Sequence, residues 1–243
     1  MNNIIKKILI ISFIFLSLAT HAESDSDSDS DSDSFTQFKI SSLQLVSSFS
    51  SFIYFEGDKR NQLRLQQAKI KGDQALAKLT VPNPELTLKW QQISDYLDSS
   101  QVYQFDVNLE AGWSILQGEL SQIIKEYEAT LAFEENASVQ TISNAKQISL
   151  LQVKMETILS RYMAFANSTL GGYGISSKGT PLEQQIKSVS IELQKLAAQD
   201  VKYKPLANKW GYIDKTLLAY NSNVAPFVVM HTFEQMRKII AAY

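Results

Sequence analysis

Apolar residues recur at every third or fourth position from Phe35 onward, and this spacing constrains the fold more than any other feature of the chain. Such spacing places apolar side chains on one face of an α-helix, whereas a half-buried strand would require strict alternation. In the first segment this face consists of Phe38, Leu45, Phe49, Phe52 and Phe55, and we expect the intervening serines to occupy the other faces. The sequence therefore predicts an all-α fold.

Prolines indicate where several of the predicted helices begin and end. A second helix is expected from about Lys59 to Leu79, ended by the Val81-Pro82-Asn83-Pro84 segment, because proline lacks the amide hydrogen and clashes with the preceding turn. Proline is tolerated at the first position of a helix, so a third helix is expected to begin near Pro84. Three more helices are predicted over residues 181–199, 204–220 and 226–243.

The middle of the chain carries a heptad pattern, which is typical of a coiled coil. Its apolar positions are Leu109, Trp113, Leu116, Leu120, Ile123 and Tyr127, and the pattern resumes in phase between Ile148 and Phe165. We therefore predict one long helix over residues 106–167, with a break at residues 135–137 as the alternative. The polar Glu134-Glu135 pair is interpreted as a solvated surface.

Two stretches of the chain match each other. Trp90 lies in the frame Leu86, Trp90, Ile93, Leu97, and Trp210 lies in the frame Leu206, Trp210, Ile213, Leu217. Upstream, Lys78-Leu79 matches Lys195-Leu196, and Tyr54 matches Tyr162. A repeat of this length predicts a duplicated structural unit. We therefore expect two tandem helical bundles, one over residues 35–133 and one over residues 138–243, joined by the long helix if that helix is continuous.

Residues 1–22 have the order of a secretory signal peptide, with Lys6 and Lys7, an apolar run, and small residues at Thr20 and Ala22. The apolar run is short for a membrane span, which requires about 20 residues, so an uncleaved anchor is the alternative. The leader predicts a periplasmic or secreted protein with no stable membrane span after cleavage.

Residues 23–34 form an acidic linker of alternating serine and aspartate. Like charges without apolar side chains favour a solvated, extended spacer. Calcium binding is the alternative, although the tract lacks the glycine turn and the bidentate glutamate of a dedicated calcium site. The whole chain has 23 basic and 25 acidic residues. Because six of the acids lie in this linker, the remainder is close to neutral and gives no electrostatic reason to expect a nucleic-acid partner.

The composition argues against most catalytic chemistry. The chain has no cysteine and two histidines, of which His21 lies in the leader and His231 near the C-terminus. Without cysteine, and with one histidine after cleavage, the usual transition-metal sites cannot be built. No pattern of an activated serine is present. We therefore predict a non-enzymatic protein with no catalytic residue, metal or cofactor.

Four residues are candidates for ligand binding: Arg161, Tyr162, Trp90 and Trp210. Arg161 lies within the apolar series from Met155 to Phe165, and a guanidinium in such a position requires an anion, a carboxylate or water. Its partner could be a ligand carboxylate, an internal glutamate or solvent. Each tryptophan either faces a ligand or fills a core position, and its apolar neighbours at helical spacing are typical of a core.

The segment Leu159-Ser160-Arg161-Tyr162-Met163-Ala164-Phe165-Ala166 resembles the LSQRMAKA stretch of the PilJ-type sensor module. This module occurs in type IV pilus chemotaxis transducers and nitrate/nitrite sensor kinases, and tandem copies are known there. In that family the stretch ends one helix, a second follows, and a third carries a tryptophan, much as around Trp210. The arginine-containing lead-in of the family is replaced here by Lys154-Met155-Glu156-Thr157, so the resemblance implies a sensor-like architecture without nitrate recognition.

These observations predict an exported, non-enzymatic, sensor-like or binding module. Its expected partner is a small molecule or a protein of the cell envelope. The alternative is a secreted structural or adhesive protein that assembles on a surface, and this alternative would involve a homo-oligomer.

Overall fold

The computed structural model describes residues 24–79, 83–99, 102, 114, 118–122, 124–125, 144–167 and 180–243. Of the residues it describes, 86% are helical and none is in a strand, so the prediction of an all-α fold is confirmed. Two predictions concern regions outside the described residues: the signal peptide over residues 1–22, and the continuity of the helix over 106–167 with its alternative break at residues 135–137.

Seven α-helices are described, and we number them in chain order. Their bounds are α1 Ser24–Tyr54, α2 Lys59–Leu76, α3 Pro84–Asp98, α4 Asn144–Asn167, α5 Leu182–Gln199, α6 Lys204–Leu218 and α7 Pro226–Ile240. A 3-10 turn, Val201–Tyr203, joins α5 to α6. The predicted starts at Lys59, Pro84, Lys204 and Pro226 agree with these bounds.

Local sequence signals explain the ends of the first three helices. The Asp58 side chain accepts the Asn61 amide at 2.7 Å before α2, and the Asn83 side chain accepts the Leu86 amide at 2.9 Å before α3. After α1 the backbone turns left-handed, with φ of 51° at Glu56 and 78° at Gly57. The Gly57 amide donates to the Phe52 carbonyl at 2.8 Å, which is the hydrogen bond that closes a helix C-terminus in this motif.

The serine–aspartate tract is helical, which differs from the extended spacer that we expected. Helix α1 begins at Ser24 and runs through the tract without a break. Each residue added to an existing helix gains one hydrogen bond, so a packed helix can be prolonged at little cost. This effect favours the helix in this tract.

The buried apolar residues form two cores. The N-terminal core contains residues of α1, α2 and α3 together with Val102, Leu120 and Ile124. The C-terminal core contains residues of α4, α5, α6 and α7 and of the 3-10 turn. We refer to the helices around these cores as the N-terminal group (α1–α3) and the C-terminal group (α4–α7).

Helix α1 lies between the two groups, since it packs against both α2 and α4. From Ile40 to Phe52 nearly every residue of α1 is buried, including the serines that we expected on its other faces. Serine is small enough for neighbouring helices to approach closely. Its hydroxyl can bond to the preceding turn, as Ser42 does to the Phe38 carbonyl at 2.9 Å and Ser51 to the Ser47 carbonyl at 2.8 Å.

Helices α1 and α4 run in the same direction. The Gln44 side-chain amide of α1 donates to the Glu156 carboxylate of α4 at 2.9 Å. Further along both helices, Tyr54 is close enough to Tyr162 to affect its ionisation. Because the residue numbers rise together along the contact, the two helices are parallel, and they bring the N-terminal and C-terminal groups side by side.

Candidate functional site

Both candidate tryptophans lie in the cores. Trp90 is 3% exposed and Trp210 is 1% exposed. The Trp90 indole nitrogen donates to the Asp73 carboxylate of α2 at 2.6 Å, and the Trp210 nitrogen donates to the Ser190 hydroxyl of α5 at 2.8 Å. Each indole therefore has an internal partner on the preceding helix of its own group, and the two rings do not come together.

Arg161 and Tyr162 also have internal partners. The Arg161 guanidinium donates to the Thr180 carbonyl at 2.8 Å and to the Gln185 side-chain oxygen at 2.9 Å. Tyr162 is fully buried, and its hydroxyl accepts the Ala225 amide at 2.6 Å. Burial raises the pKa of Tyr162, although the Ala225 hydrogen bond opposes the shift. The structure thus does not bring the four predicted residues into one site.

A cleft of about 800 Å³ lies between the two groups. It is lined by the N-terminal half of α1, by α2, by the start of α4, by the 3-10 turn and by the C-terminal end of α7. Pockets that bind small molecules in proteins have volumes of roughly 300–1,000 Å³, so this cleft has the size of a ligand site.

Helices α1 and α4 contribute polar, mostly uncharged side chains to the cleft. They are Asp33, Ser34, Gln37, Ser41 and Gln44 from α1, and Ser149 and Gln152 from α4. Ser41 is only 5% exposed, and its side chain forms no hydrogen bond within the described part of the chain. A buried hydroxyl without a partner is uncommon in native proteins, because burial removes its hydrogen bonds to water. Ser41 is therefore available to a molecule that enters the cleft.

Helix α2 contributes two of the positive charges that line the cleft. Lys71, Gln74, Ala75 and Lys78 all line the cleft, and their spacing of three and four places them on one face of α2. Lys71 and Lys78 are exposed. Neither lysine forms an ion pair with any residue that the structure describes, so both ammonium groups are available for binding.

A buried ion pair lies at the edge of the cleft, where α1, α4 and α7 meet. Glu156 is 1% exposed and accepts two hydrogen bonds from the Arg237 guanidinium, both at 2.7 Å. Burial alone would lower the pKa of Arg237, but the attraction of the Glu156 carboxylate outweighs it, so the pKa is raised. Gln44 donates to the same carboxylate, which links α1 to this pair.

The 3-10 turn and the C-terminus form one end of the cleft. Tyr203 and Tyr243 pack edge to face, with 5.1 Å between their ring centroids. The Tyr243 hydroxyl donates to the Lys202 carbonyl at 3.0 Å, while the Lys202 ammonium lies 4.9 Å from the Tyr203 ring centroid. Lys202 also pairs with the Asp200 carboxylate at 3.3 Å, so its charge is partly compensated.

An ionic contact joins the two groups outside the cleft. The Arg64 guanidinium of α2 donates to the Glu234 carboxylate of α7 at 2.5 Å, and Arg60 lies 3.7 Å from the same carboxylate. Burial raises the pKa of Glu234, but the hydrogen bond and charge of Arg64, with the charge of Arg60, more than offset this. The net effect is a pKa below the ordinary value.

Helices α6 and α7 present an exposed surface that is partly aromatic. Tyr212 is 70% exposed and Phe227 is 59% exposed. The Phe227 ring stacks on the His231 ring, with 6.3 Å between centroids and 6° between planes. The Arg60 guanidinium lies 5.9 Å from the Phe227 centroid. A cavity of about 290 Å³ lies over this surface.

The chemistry available in the cleft is that of hydrogen bonding and charge. In the described part of the chain, its lining contains lysine, arginine, glutamine, serine, tyrosine and one aspartate beside isoleucine and alanine, and it contains no histidine. Among the described residues, no group of three or more acidic or histidine side chains is placed to hold a metal ion. None of the described helices combines the length and the apolar character needed to cross a membrane.

Sequence reasoning missed the residues of the cleft, although one signal was available. Lys71 and Lys78 lie seven positions apart, and Gln74 lies between them. Together they form a polar stripe on a predicted helix. On a single helix such a stripe is typical of a solvated surface. It lines a cleft only because α1, α4 and α7 pack around it, and the spacing along α2 contains no information about those helices.

Comparison of the chain with protein-family models, with curated proteins and with solved structures finds no match. The arguments about function therefore depend on the geometry described above and on the sequence.

Proposed function

We propose that this protein is an exported, non-enzymatic binding module that holds a small polar molecule in the cleft between its two helical groups. The observation that carries this proposal is the cleft of about 800 Å³ itself, with the side chains of Ser41, Lys71 and Lys78 on its lining, which have no partner among the described residues. Export is supported by the signal-like order of residues 1–22.

The buried polar groups on the lining favour a binding role over a purely structural one. A polar group buried without a hydrogen-bond partner costs stability, typically about 1–3 kcal/mol. Residues that serve only packing are more stable when such groups are paired or replaced by apolar ones. A ligand that bonds to Ser41 and to the side-chain oxygen of Gln44 would offset this cost in stability. Ligand binding therefore explains why polar groups are buried here.

The two tryptophans support a duplicated unit. Asp73, which accepts the Trp90 indole, lies six residues before Leu79, and Ser190, which accepts the Trp210 indole, lies six residues before Leu196. Leu79 and Leu196 are matched in the internal repeat. The indole partners thus occupy equivalent positions in the two copies, and the cleft lies between the copies.

A ligand site between two copies suits a sensor-like role. A molecule that touches both the N-terminal and the C-terminal group would favour one relative arrangement of the groups over others, in proportion to its difference in affinity for them. The resemblance of residues 159–166 to the PilJ-type module adds support from the sequence. The downstream partner in this proposal is a protein of the cell envelope that binds one relative arrangement of the two groups in preference to others.

The proposal is tested by a thermal-shift screen of a broad metabolite library on the wild-type protein and on two tryptophan variants. Gln74→Trp would fill the cleft, because Gln74 is exposed and lines it. Gln66→Trp adds the same bulk on an exposed position of α2 away from the cleft. We expect ligands that stabilise the wild-type and Gln66→Trp proteins and fail to stabilise Gln74→Trp. A screen without hits, together with an envelope pulldown without a partner, would rule out the proposal.

Self-assembly remains the second candidate, because the α6–α7 surface exposes Tyr212 and Phe227. Large exposed aromatic side chains that adjoin one another are common at protein contacts. In this alternative a second copy of the chain covers the surface, and light scattering shows a mass that rises with concentration and falls in a Tyr212→Ser/Phe227→Ser variant. A strict monomer would exclude this alternative.

A further inference from the structure

We infer that the ligand of the cleft is a hydroxylated organic acid of about disaccharide size, held by Lys71 and Lys78 of α2 and by Ser41 and Gln44 of α1. This inference rests on the proposed function, and it adds the chemical class of the ligand. It is argued from the charges, the polar groups and the dimensions of the cleft.

The charges on the lining favour an anion. Arg237 is neutralised by Glu156, and Lys202 is paired with Asp200 at 3.3 Å. After these pairs, two lysine charges remain against the Asp33 carboxylate, and both lysines lack an ion-pair partner among the described residues. Lys71 and Lys78 lie two turns apart on one face of α2, so a ligand with separated acidic groups can reach both. A cleft with an excess of one charge attracts ligands of the opposite charge.

The uncharged groups favour hydroxyls on the same ligand. The Ser41 hydroxyl can both donate and accept, and the Gln44 amide, which donates to Glu156, keeps its oxygen as an acceptor. Ser41 is 5% exposed and Gln44 is 6% exposed, so a ligand that bonds to them must enter the cleft. Asp33 provides a further acceptor for a hydroxyl. A simple inorganic anion would use the lysines and leave these groups unpaired.

The size and the apolar parts of the cleft favour a ring-containing ligand. About 800 Å³ lies toward the upper end of the volumes of small-molecule pockets. The Tyr243 ring is 46% exposed at the end of the cleft and is held against Tyr203. An aromatic face combined with a polar rim suits a ligand that has both hydroxyls and a C–H surface.

The test is a calorimetric titration of the full mature protein with three disaccharides that differ in charge: digalacturonate, cellobiose and diglucosamine. We expect digalacturonate to bind, cellobiose to bind more weakly and diglucosamine not to bind. Binding of digalacturonate should weaken as salt is raised from about 0.01 M to about 0.1 M, because the Debye length falls from about 30 Å to about 10 Å.

Matched variants distinguish the effect of the two cleft lysines from the effect of the overall charge of the protein. Lys71→Gln/Lys78→Gln should weaken digalacturonate binding about fivefold or more, given the usual strength of exposed charge pairs. Lys187→Gln/Lys195→Gln removes the same charge from exposed positions of α5 and should leave the affinity unchanged. Ser41→Ala should weaken binding without destabilising the fold, because the Ser41 hydroxyl has no described partner to lose.

The outcomes distinguish the two levels of the argument. If cellobiose or diglucosamine binds as tightly as digalacturonate, the inference about charge is wrong while the binding function stands. If none of the three binds, the inference is wrong, and the Gln74→Trp screen decides separately about the proposed function. If both lysine pairs weaken binding equally, the cleft is not the site of the anion.

Discussion

At the scale of single residues, a glycine of the N-terminal group packs directly against an indole ring. Gly72 lies on the buried face of α2, and a Cβ atom added there would overlap the six-membered ring of Trp90. Glycine is the poorest helix former after proline, so its presence within α2 needs a reason. The reason is the close approach of Trp90, which donates to the neighbouring Asp73.

We expect Gly72→Ala to destabilise the protein by about 1–3 kcal/mol, the usual cost of overpacking, in spite of the better helix propensity of alanine. The control is Gly211→Ala on α6, where an added Cβ meets nothing within 4 Å. This variant should gain up to about 1 kcal/mol. Urea unfolding followed by circular dichroism measures both, and a stabilising Gly72→Ala would contradict the packing described here.

Glu234 gives the stability a dependence on pH. Its pKa in the folded protein lies below the ordinary value of a glutamate, because the hydrogen bond and the charge of Arg64 more than offset the effect of burial. A carboxylate with a lowered pKa stabilises the fold above its unfolded pKa, and this contribution disappears as the pH falls through the folded pKa. We therefore expect Glu234→Gln to be less stable than the wild type near neutral pH, with the difference shrinking below about pH 4.5. If the free energies of unfolding of the wild type and of Glu234→Gln differed by the same amount at every pH, the role given to Arg64 would be contradicted.

At the scale of helices, the main question is how α1, α4 and α7 are held in place around the cleft. Helix α1 packs against α4, and the Glu156–Arg237 pair with Gln44 connects α1, α4 and α7 through hydrogen bonds. Burying such a pair adds little net stability, but it penalises arrangements in which a charge is left alone. It therefore fixes the positions of the three helices relative to one another.

We expect Arg237→Met to cost about 3 kcal/mol, because it leaves the buried Glu156 carboxylate without its partner. The double variant Glu156→Gln/Arg237→Met should recover most of this loss. The control is Glu192→Gln, which removes the more exposed pair between Lys154 of α4 and Glu192 of α5 and should cost less than about 1 kcal/mol. If the double variant were as unstable as Arg237→Met, the unpaired charge of Glu156 would not be the cause of the lost stability.

At the scale of the whole molecule, α1 makes the two groups one cooperative structure. Its serine-rich middle is buried from both sides, by α2 and by α4, so loss of either group would expose it. The hydrogen bond from Gln44 to Glu156 and the ionic contact between Arg64 and Glu234 also cross between the groups. Two cores that share a central helix in this way should unfold together.

This cooperativity can be measured with single-tryptophan variants. Trp113→Phe/Trp210→Phe leaves Trp90 as the reporter of the N-terminal group, and Trp90→Phe/Trp113→Phe leaves Trp210 as the reporter of the C-terminal group. Within each variant, we expect the fluorescence transition to coincide with the loss of helix seen by circular dichroism. A fluorescence midpoint that differs from that of the helix signal would show that the groups unfold independently.

The sequence by itself determined the helices and their apolar faces. The frames around Trp90 and Trp210 predict buried rings, and both rings are buried; the prolines predict where α3 and α7 begin. These features depend on neighbours three or four residues apart, and local spacing is visible along the chain. The duplication is also a pattern of the sequence, and it stays a prediction.

Only the tertiary structure decided where the candidate site lies. Arg161 was expected beside an anion, a carboxylate or water, and it is bonded instead to the Thr180 carbonyl and to Gln185, neither of which its position on α4 could indicate. The serines of α1 were expected on other faces and lie between two helices. The cleft joins Ser41, Lys78 and Arg237, which are far apart in the chain. Such a site depends on which helices pack together, and helix periodicity does not specify helix partners.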